Sequence, residues 1–343
     1  MYNNLSEIYF FYHAHIMDAD RIPYLVAAIF LTIVVGMITG PFTGNANPFL
    51  WNFFDILFGR FGDRIDRKSR SKKDLILRGF LYVSCLLLCV LLVVPIIHTF
   101  TSQNWMVEVL LLSLCLTSGS VWYMILKLYF ALSQKGQAKG GYWGLARSSR
   151  IDLNSTDDYG ITREGLSFAA MSFDKGLIAP TLWYLIGGLP LVMIYSVVAF
   201  SAWRFGKQGF SKGFGEIPFA LEKFLGFIPS VFSGFLFTAS AAISPTAKIT
   251  KAIQSWWQAM NKVPYEQGGV VLSALAWPLN VSLGGPVQDI SGSALKRVWV
   301  GPDGATAQIE HVHLKRGIIM HVVAHLFLIL ALLSAYVYAG KVF

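Results

Sequence analysis

Six long hydrophobic stretches alternate with shorter polar and basic segments along the chain, and none of the six contains Asp, Glu, Lys or Arg. They occupy residues 22–54, 79–107, 109–126, 176–203, 224–247 and 317–340. A helix needs about 20 apolar residues to cross the hydrocarbon core of a bilayer. The pattern therefore predicts an all-α, polytopic integral membrane protein, folded as one membrane domain over residues 1–343.

Two of these stretches contain residues that interrupt helices. The first, 176–203, has Gly187, Gly188 and Pro190 at its middle, and the second, 224–247, has Pro229 and Gly234. Backbone groups freed at membrane depth must be satisfied by protein or by a polar cavity. We therefore predict that one or both segments are bent or re-entrant, and that the broken helices line a cavity.

The distribution of Lys and Arg predicts the orientation in the membrane. Basic residues concentrate in three connections, at approximately residues 55–78, 127–175 and 248–316, whereas the short connection after the second stretch carries only Glu108. Because basic loops stay in the cytoplasm, these three are predicted to be cytoplasmic loops and the N-terminus to lie outside. A re-entrant path through 176–203 would also return Arg204, Lys207 and Lys212 to the cytoplasm.

Composition supports the membrane class and narrows the partners. Hydrophobic residues make up 55% and charged residues 14%, whereas soluble domains carry about 25% charge, which argues against a soluble cytosolic enzyme. The net charge of +9 follows from basic cytoplasmic loops, which also attract an anionic small molecule or anionic lipid. No basic module with interleaved aromatic residues predicts nucleic-acid binding. The oligomeric state stays open.

The longest polar stretch outside the hydrophobic segments, residues 133–175, holds the candidate chemistry. Its guanidinium groups match phosphate oxygens and belong to Arg147, Arg150 and Arg163. Its carboxylates are ligands of the kind that Mg²⁺ prefers and belong to Asp152, Asp157 and Asp158. The alternative interpretation is a solvated loop at the membrane edge with local charge pairs.

Two further patterns have structural and functional interpretations. His321 and His325 are four residues apart and share a helix face, which suits a metal or polar packing between helices; we favour packing because no acid accompanies them. Gly284 and Gly285 in a Leu-Gly-Gly-Pro segment allow a ligand close to the backbone or form a turn. No phosphate-binding Gly-x-x-x-x-Gly-Lys-Ser/Thr motif is present.

Residues 161–190, ITREGLSFAAMSFDKGLIAPTLWYLIGGLP, resemble the CobD/CbiB proteins of cobalamin biosynthesis. The family pattern there runs I-x-R-A-x-V-E-S-x-A-E-N-x-x-D-G-x-x-A-P, followed by G-G-x-P. This chain keeps Ile161, Arg163, Ala170, Gly176, Ala179, Pro180, Gly187, Gly188 and Pro190. Later landmarks match as well, at Phe214-Gly215, Phe227-Ile228-Pro229 and Leu283-Gly284-Gly285-Pro286.

The resemblance implies an adenosylcobinamide-phosphate synthase of the bacterial inner membrane. Such an enzyme would join aminopropanol phosphate to adenosylcobyric acid, a corrinoid, as an amide, with ATP and Mg²⁺. It implies that Asp152 and Asp174 are catalytic and near the metal. It also implies that phosphate and substrate are bound by Arg150, Arg163, Lys175, Gly284 and Gly285.

This chain also departs from the family pattern at its acids. The two glutamates become Ser167 and Met171, the acid of D-G becomes Lys175, and the R-L-D-D segment ends in Glu222 and Lys223. A second hypothesis is therefore a catalytically degenerate relative that binds a ligand or signals, similar to the AmpE-like membrane proteins. Transport is a third hypothesis, although no inverted repeat is visible.

Geometry separates the first two hypotheses. The enzyme hypothesis expects the remaining acids to converge on one cavity beside Arg150 and Arg163, whereas scattered surface acids favour the degenerate relative. The acids in question are Asp152, Glu164, Asp174 and Glu222.

Overall fold

The computed structural model describes residues 19–67, 69–134, 142–207, 210, 213–245, 247–259 and 262–342, with side chains up to residue 339. Within these ranges, six helical segments are long and apolar enough to cross a membrane. The prediction of an all-α, multi-pass membrane protein is confirmed. The predicted external segment 1–18, parts of the three predicted loops (residue 68, residues 135–141 and residues 260–261) and Lys212 lie outside the described residues.

The helices in chain order are α1 Arg21–Thr39, α2 Phe49–Phe54, α3 Arg60–Ile65, α4 Lys72–Thr101, α5 Trp105–Cys115, α6 Gly119–Ser133, α7 Trp143–Ser149, α8 Asp158–Phe173, α9 Ala179–Phe205, α10 Glu216–Ile243, α11 Ile249–Gln258, α12 Gly269–Leu279 and α13 His311–Val342. One π-helical turn, Asp55–Gly59, joins α2 to α3, and a second, Asp174–Ile178, joins α8 to α9. Single 3₁₀ turns cover Phe42–Gly44 and Tyr265–Gln267.

The described residues also include five very short strands. They are β1 Ile151–Asp152, β2 Leu283–Gly284, β3 Val287–Asp289, β4 Ala294–Leu295 and β5 Trp299–Val300. Antiparallel pairing gives the order β1-β3-β4 in one sheet and β2-β5 in the other. The pairing attaches the segment between α12 and α13 to the segment before α8.

Helix α9 reverses direction at Gly187 and Gly188, and the predicted break is present. Both residues leave the helical conformation, with φ −143° at Gly187 and φ +65°, ψ −161° at Gly188. The Tyr195 hydroxyl donates to the carbonyl of Lys175 at 3.3 Å, although residues 20 apart in a straight helix are separated by about 30 Å. The second half of α9 therefore folds back along the first as a helical hairpin.

Three helices meet at the tip of this hairpin. Arg21, at the start of α1, donates to the carbonyls of Tyr184 and Leu185, both at 3.4 Å. The Tyr184 hydroxyl donates to Glu108 of α5 at 2.7 Å. Because the break leaves carbonyls without helical partners, the Arg21 guanidinium satisfies groups that lipid could not.

The second predicted break is not realised. Helix α10 runs continuously through Pro229 and Gly234, with no residue outside helical conformation. Proline removes one backbone donor and is tolerated in membrane helices when neighbouring groups compensate. The prediction of one or both broken segments is thus met by α9 alone.

The predicted loop 127–175 is also shorter than its sequence suggests. Helix α6 extends to Ser133, and α8 begins at Asp158. Asp157 caps α8 by accepting from the backbone N–H of Gly160 at 2.8 Å. The charges that made residues 158–175 look like a loop belong to a mostly buried helix.

Candidate functional site

A cavity of about 1050 Å³, a volume that includes its open mouth, lies beside the helical hairpin. Its other side is formed by the segment that holds β2 to β5, residues 283–300, called here the strand segment. Its hairpin side is lined by Ser172 of α8 and Lys175 of the π-helical turn, which lead into the first arm, and by Ala199 and Trp203 of the second arm. The predicted cavity beside a broken helix is therefore present.

The cavity wall combines apolar surface with balanced charge. Its apolar and aromatic side chains include Trp51, Phe168, Met171, Trp203, Phe219 and Leu272. Its charged side chains are Arg150, Lys175, Lys207, Arg297, Glu164, Glu222, Glu266 and Asp289. Four cations thus face four carboxylates, a lining suited to a ligand with both apolar and ionic parts.

Each of these carboxylates has a cationic partner. Glu164 pairs with Arg297 at 2.8 Å, and the two side chains are 3% and 6% exposed. Glu222 pairs with Lys175 at 3.0 Å. Asp289 pairs with Lys207 at 3.3 Å, while Glu266 pairs with Lys223 at 3.6 Å. Three of these pairs lie within the wall, whereas Lys223 lies outside the lining.

Arg150 differs from the other three cations in the wall. It ends α7 in a left-handed conformation, φ +60°, and its guanidinium lies 5.4 Å from the centre of the Trp203 ring. Within the described chain, no carboxylate or carbonyl accepts a hydrogen bond from that guanidinium. Burial, with the nearby charge of Arg204, lowers the pKa of Arg150 to about 10, so it stays charged at neutral pH. Its donors are available to a ligand.

Lys175, Glu222 and Tyr265 form a compact group, called here the Lys-Glu-Tyr cluster. The Lys175 ammonium lies 4.8 Å from the centre of the Tyr265 ring. The Tyr265 hydroxyl donates to Glu222 Oε1 at 2.7 Å, while Lys175 donates to Glu222 Oε2 at 3.0 Å. Burial and the negative charge of Glu222 raise the pKa of Tyr265 well above its usual value, so the phenol remains a donor.

Asp289 attaches the strand segment to the hairpin. Burial raises the pKa of Asp289, but a hydrogen bond from Ser291 and the positive charge of Lys207 together outweigh it, so the net pKa is lowered. The Ser291 bond measures 2.7 Å. Asp289 is therefore ionised over the physiological pH range, and its ion pair with Lys207 is maintained.

A sequence model described as CobD/CbiB protein matches residues 50–320. The chain belongs to the CobD/CbiB family. Curated relatives named cobalamin biosynthesis protein CobD come from Brucella anthropi, with 24% identity over 53% of this chain and 56% of the relative, and from Sinorhizobium fredii, with 23% identity over 75% and 82%. A probable cobalamin biosynthesis protein CobD from Methanocaldococcus jannaschii is 22% identical over 74% of this chain and 84% of its own length.

The matched length differs among these CobD relatives. The chain spans little more than half the length of the Brucella anthropi protein. No solved structure matches the chain.

The CobD/CbiB resemblance predicted seven ligand or catalytic residues, of which two line the cavity and five lie outside its lining. Arg150 and Lys175 line the cavity, as do the acids Glu164 and Glu222. Asp152 lies outside the lining and accepts from the side chain of Asn154 at 2.8 Å in a local turn. Convergence of the remaining acids is therefore partial.

Asp174 is buried behind the wall, only 2% exposed. Ser230 donates to its Oδ2 at 2.6 Å and Ser233 to its Oδ1 at 2.9 Å. Because it occupies the first position of the π-helical turn, its side chain points to α10 and that of Lys175 faces the cavity. Asp174 therefore joins the π-helical turn to α10 and does not line the cavity.

Arg163, Gly284 and Gly285 also lie outside the lining. Arg163 donates to the carbonyl of Ala307 at 2.7 Å and lies over the Trp299 ring. At Gly285 an added Cβ would lie 2.5 Å from that same ring. These residues fasten β5 to the site in this structure, and their phosphate-binding roles stay predictions.

The donor set does not fit a metal held by acids. In the described ranges no group of three His, Cys, Asp or Glu side chains could hold a metal ion. Asp152 and Asp174, the predicted metal pair, have the separate hydrogen-bond partners described above. Each carboxylate of the cavity is already matched by a cation, so we derive no step through a protein-held magnesium ion.

His321 and His325 pack between helices, as we favoured. Trp122 donates to Nδ1 of His321 at 3.0 Å, and Ser118 lies 3.3 Å from Nε2 of His325. Both histidines are buried, and Phe173 packs against both rings. They connect α13 to α6 and are not part of the cavity.

Sequence reasoning missed several residues of the site. No motif marked the cavity residues Trp203, Lys207, Asp289 and Arg297. The same holds for Tyr265, which contacts Lys175 and Glu222 of the wall. Arg297 is 133 residues from Glu164 in the chain, and no local spacing encodes such a pair. A charged residue close behind a hydrophobic stretch, as Lys207 is to the stretch 176–203, was the weak signal available.

Proposed function

We propose that this CobD/CbiB family member acts in cobalamin biosynthesis and binds a phosphate-bearing amine in the cavity, where it is joined to a corrinoid carboxylate. The amine is aminopropanol phosphate, the corrinoid is adenosylcobyric acid, and ATP drives the amide bond. The observation that carries this proposal is the Arg150 guanidinium, which is charged and faces the cavity beside Trp203. The family membership supplies the substrate class.

The chemistry requires neutralisation of negative charge. A carboxylate is a poor acyl donor until it is activated, and phosphoryl transfer from ATP is stabilised by cations placed around the phosphate oxygens. Arg150, Lys175 and Lys207 are the cations best placed for this task. Lys175 and Lys207 are ion-paired but keep 16% and 32% of their side chains exposed, whereas the paired Arg297 is only 6% exposed. The aromatic side of the wall suits the apolar part of a substrate.

The second candidate is a relative that binds the ligand without catalysing amide formation. The observation that favours it is the full pairing of Glu164, Glu222, Glu266 and Asp289 with cations. At least one oxygen of each carboxylate already faces a cation, which makes these groups poor candidates for taking a proton from a substrate amine. Both candidates predict ligand binding, and only the first predicts turnover.

The binding prediction is tested with Arg150→Gln and the matched control Arg147→Gln. Both arginines lie at the end of α7, but Arg147 is exposed and outside the cavity. A hydrogen bond to a charged group contributes about 1.5–3 kcal/mol, so Arg150→Gln is expected to weaken aminopropanol phosphate binding about 10-fold to 100-fold. Titration calorimetry in detergent measures both affinities.

Equal affinities for the two variants would contradict the assignment of Arg150. Turnover is assayed with purified protein, cobyric acid, aminopropanol phosphate and ATP with magnesium. Amide product lost in Arg150→Gln supports the ligase. Binding without product, in protein that remains folded, favours the non-catalytic relative.

The proposal also includes the location of the protein in the inner membrane, with its N-terminus on the external side. Arg204 of the hairpin pairs with Asp55 at 2.7 Å and Asp63 at 2.6 Å, which joins its end to a segment predicted to be cytoplasmic. Single cysteines at Ser102 and Arg70, in a background without other cysteines, test the orientation. We expect an impermeant thiol reagent on intact cells to label the first position and not the second.

A further inference from the structure

The Lys-Glu-Tyr cluster places a fixed positive charge where the family pattern has acids. Lys175 replaces the acid of the D-G motif, and Glu222 stands in the R-L-D-D segment. Two acids facing each other would call for a cation between them. In this chain the cation is the Lys175 ammonium itself, 3.0 Å from Glu222.

The geometry leaves no room for a metal at Glu222. One carboxylate oxygen accepts from Lys175 and the other from Tyr265. The Glu222 side chain is only 1% exposed, while that of Lys175 is 16% exposed. A metal ion would have to displace both donors, whereas an anion in the cavity can approach the exposed side of the ammonium.

The ammonium is also held in place. The Tyr265 ring lies beneath it at 4.8 Å, and a cation over an aromatic face is attracted by the ring. An ammonium has three donors, of which Glu222 takes one. The remaining donors are oriented by these fixed neighbours and can bind phosphate oxygens.

We propose that the Lys175 ammonium serves as the resident cation of this cavity, so that the cavity binds a phosphate-bearing anion without a divalent metal ion. This inference rests on the proposed function, because it concerns the same anion in the same cavity. It goes further in naming the group that supplies the charge.

The experiment compares aminopropanol phosphate binding in EDTA with binding in excess Mg²⁺. Wild-type protein is expected to show affinities within twofold of each other. Lys175→Met is expected to lose at least tenfold in both buffers. That variant leaves the Glu222 carboxylate buried without its cation, which is strongly destabilising. The double variant Lys175→Met, Glu222→Gln avoids this because Gln is neutral and has the shape of Glu, and we expect it to lose the same tenfold in affinity.

Two further variants test whether the positive charge of residue 175 is what gives the cavity its affinity for the anion. Lys175→Arg keeps the charge and is expected to retain affinity within about fivefold of wild type. Lys175→Asp restores an acid pair with Glu222 and is expected to bind one Mn²⁺ by electron paramagnetic resonance, and to regain anion affinity only with the metal. Wild-type protein is expected to bind no Mn²⁺ at this position.

The outcomes separate this inference from the proposed function. Anion binding by wild type that requires Mg²⁺, or Mn²⁺ binding by wild type that Glu222→Gln abolishes, overturns the inference alone. Unchanged affinity in the Lys175→Met, Glu222→Gln double variant does the same. Lack of anion binding in both buffers refutes the proposed function and the inference together.

Discussion

The ion pair between Glu164 and Arg297 gives the sharpest test of how this fold is held together. We consider Arg297→Leu, which removes the cation and leaves an apolar side chain of moderate size. Glu164 is 3% exposed and lies 2.8 Å from the Arg297 guanidinium. After the substitution, its carboxylate would remain buried without its partner.

The expected cost follows from this burial. At 2.8 Å and an effective dielectric constant near 20, the Coulomb attraction is about 6 kcal/mol, most of which offsets the desolvation of the two ions. Breaking such a pair by removing one partner costs about 3–5 kcal/mol. The lost hydrogen bond from Arg297 Nε to the carbonyl of Gly285, 3.2 Å long, adds about 1 kcal/mol.

The assay is equilibrium unfolding in mixed detergent micelles, followed by circular dichroism. The matched control is Lys223→Leu, because Lys223 pairs with Glu266 at 3.6 Å and its side chain is 51% exposed. Exposed pairs contribute at most about 1 kcal/mol. The contrast between the two leucine variants therefore isolates the effect of burial.

A compensating double variant decides the physical cause. Adding Glu164→Leu to Arg297→Leu removes the unpaired charge, and replacing a whole buried pair by apolar residues is often neutral. We expect most of the lost stability to return. A loss below about 1 kcal/mol in the single variant, or a double variant no more stable than the single one, would refute the reasoning.

Two other predictions concern the hairpin and the strand segment. Gly188→Ala is expected to destabilise the protein by about 1–3 kcal/mol, because the φ and ψ of Gly188 are accessible essentially only to glycine. An added Cβ would meet no atom closer than 3.6 Å, so the loss would come from the backbone and not from a steric clash. An unchanged melting temperature would contradict this. Asp289 has a lowered folded-state pKa, so its ionised form stabilises the fold above the unfolded value, about 3.9, and this contribution disappears as the pH falls through the folded-state pKa. Asp289→Asn is expected to be less stable than wild type by about 1–2 kcal/mol at neutral pH. Unfolding measured across pH should show this difference shrinking as the pH falls below about 4, and a difference independent of pH would exclude the ion pair as its origin.

The membrane class and the hairpin break were accessible from sequence because each has a local cause. Charge-free stretches predict spans, and Gly187, Gly188 and Pro190 predict the interruption of α9 from residue chemistry alone. Pro229 was misleading because one proline inside a long membrane helix does not require a break. Local chemistry therefore predicts where a helix can be interrupted, and its neighbours decide whether it is.

The site itself was only partly accessible. Arg150 and Lys175 were predicted as cavity cations, and both line the cavity. The partners that neutralise the wall come from segments far apart in the chain, as Lys207 and Asp289 show. Such pairs depend on how the strand segment packs against the hairpin, which no spacing in a single sequence encodes.

The 133-residue separation between Glu164 and Arg297 also bears on how the protein is made. A nascent chain emerges from the ribosome with the glutamate well before the arginine. During that interval the carboxylate must stay hydrated or protonated, since an isolated charge in an apolar interior is very costly. Products that terminate before Arg297 keep this carboxylate without its cation, and we expect them to be less stable than the full chain.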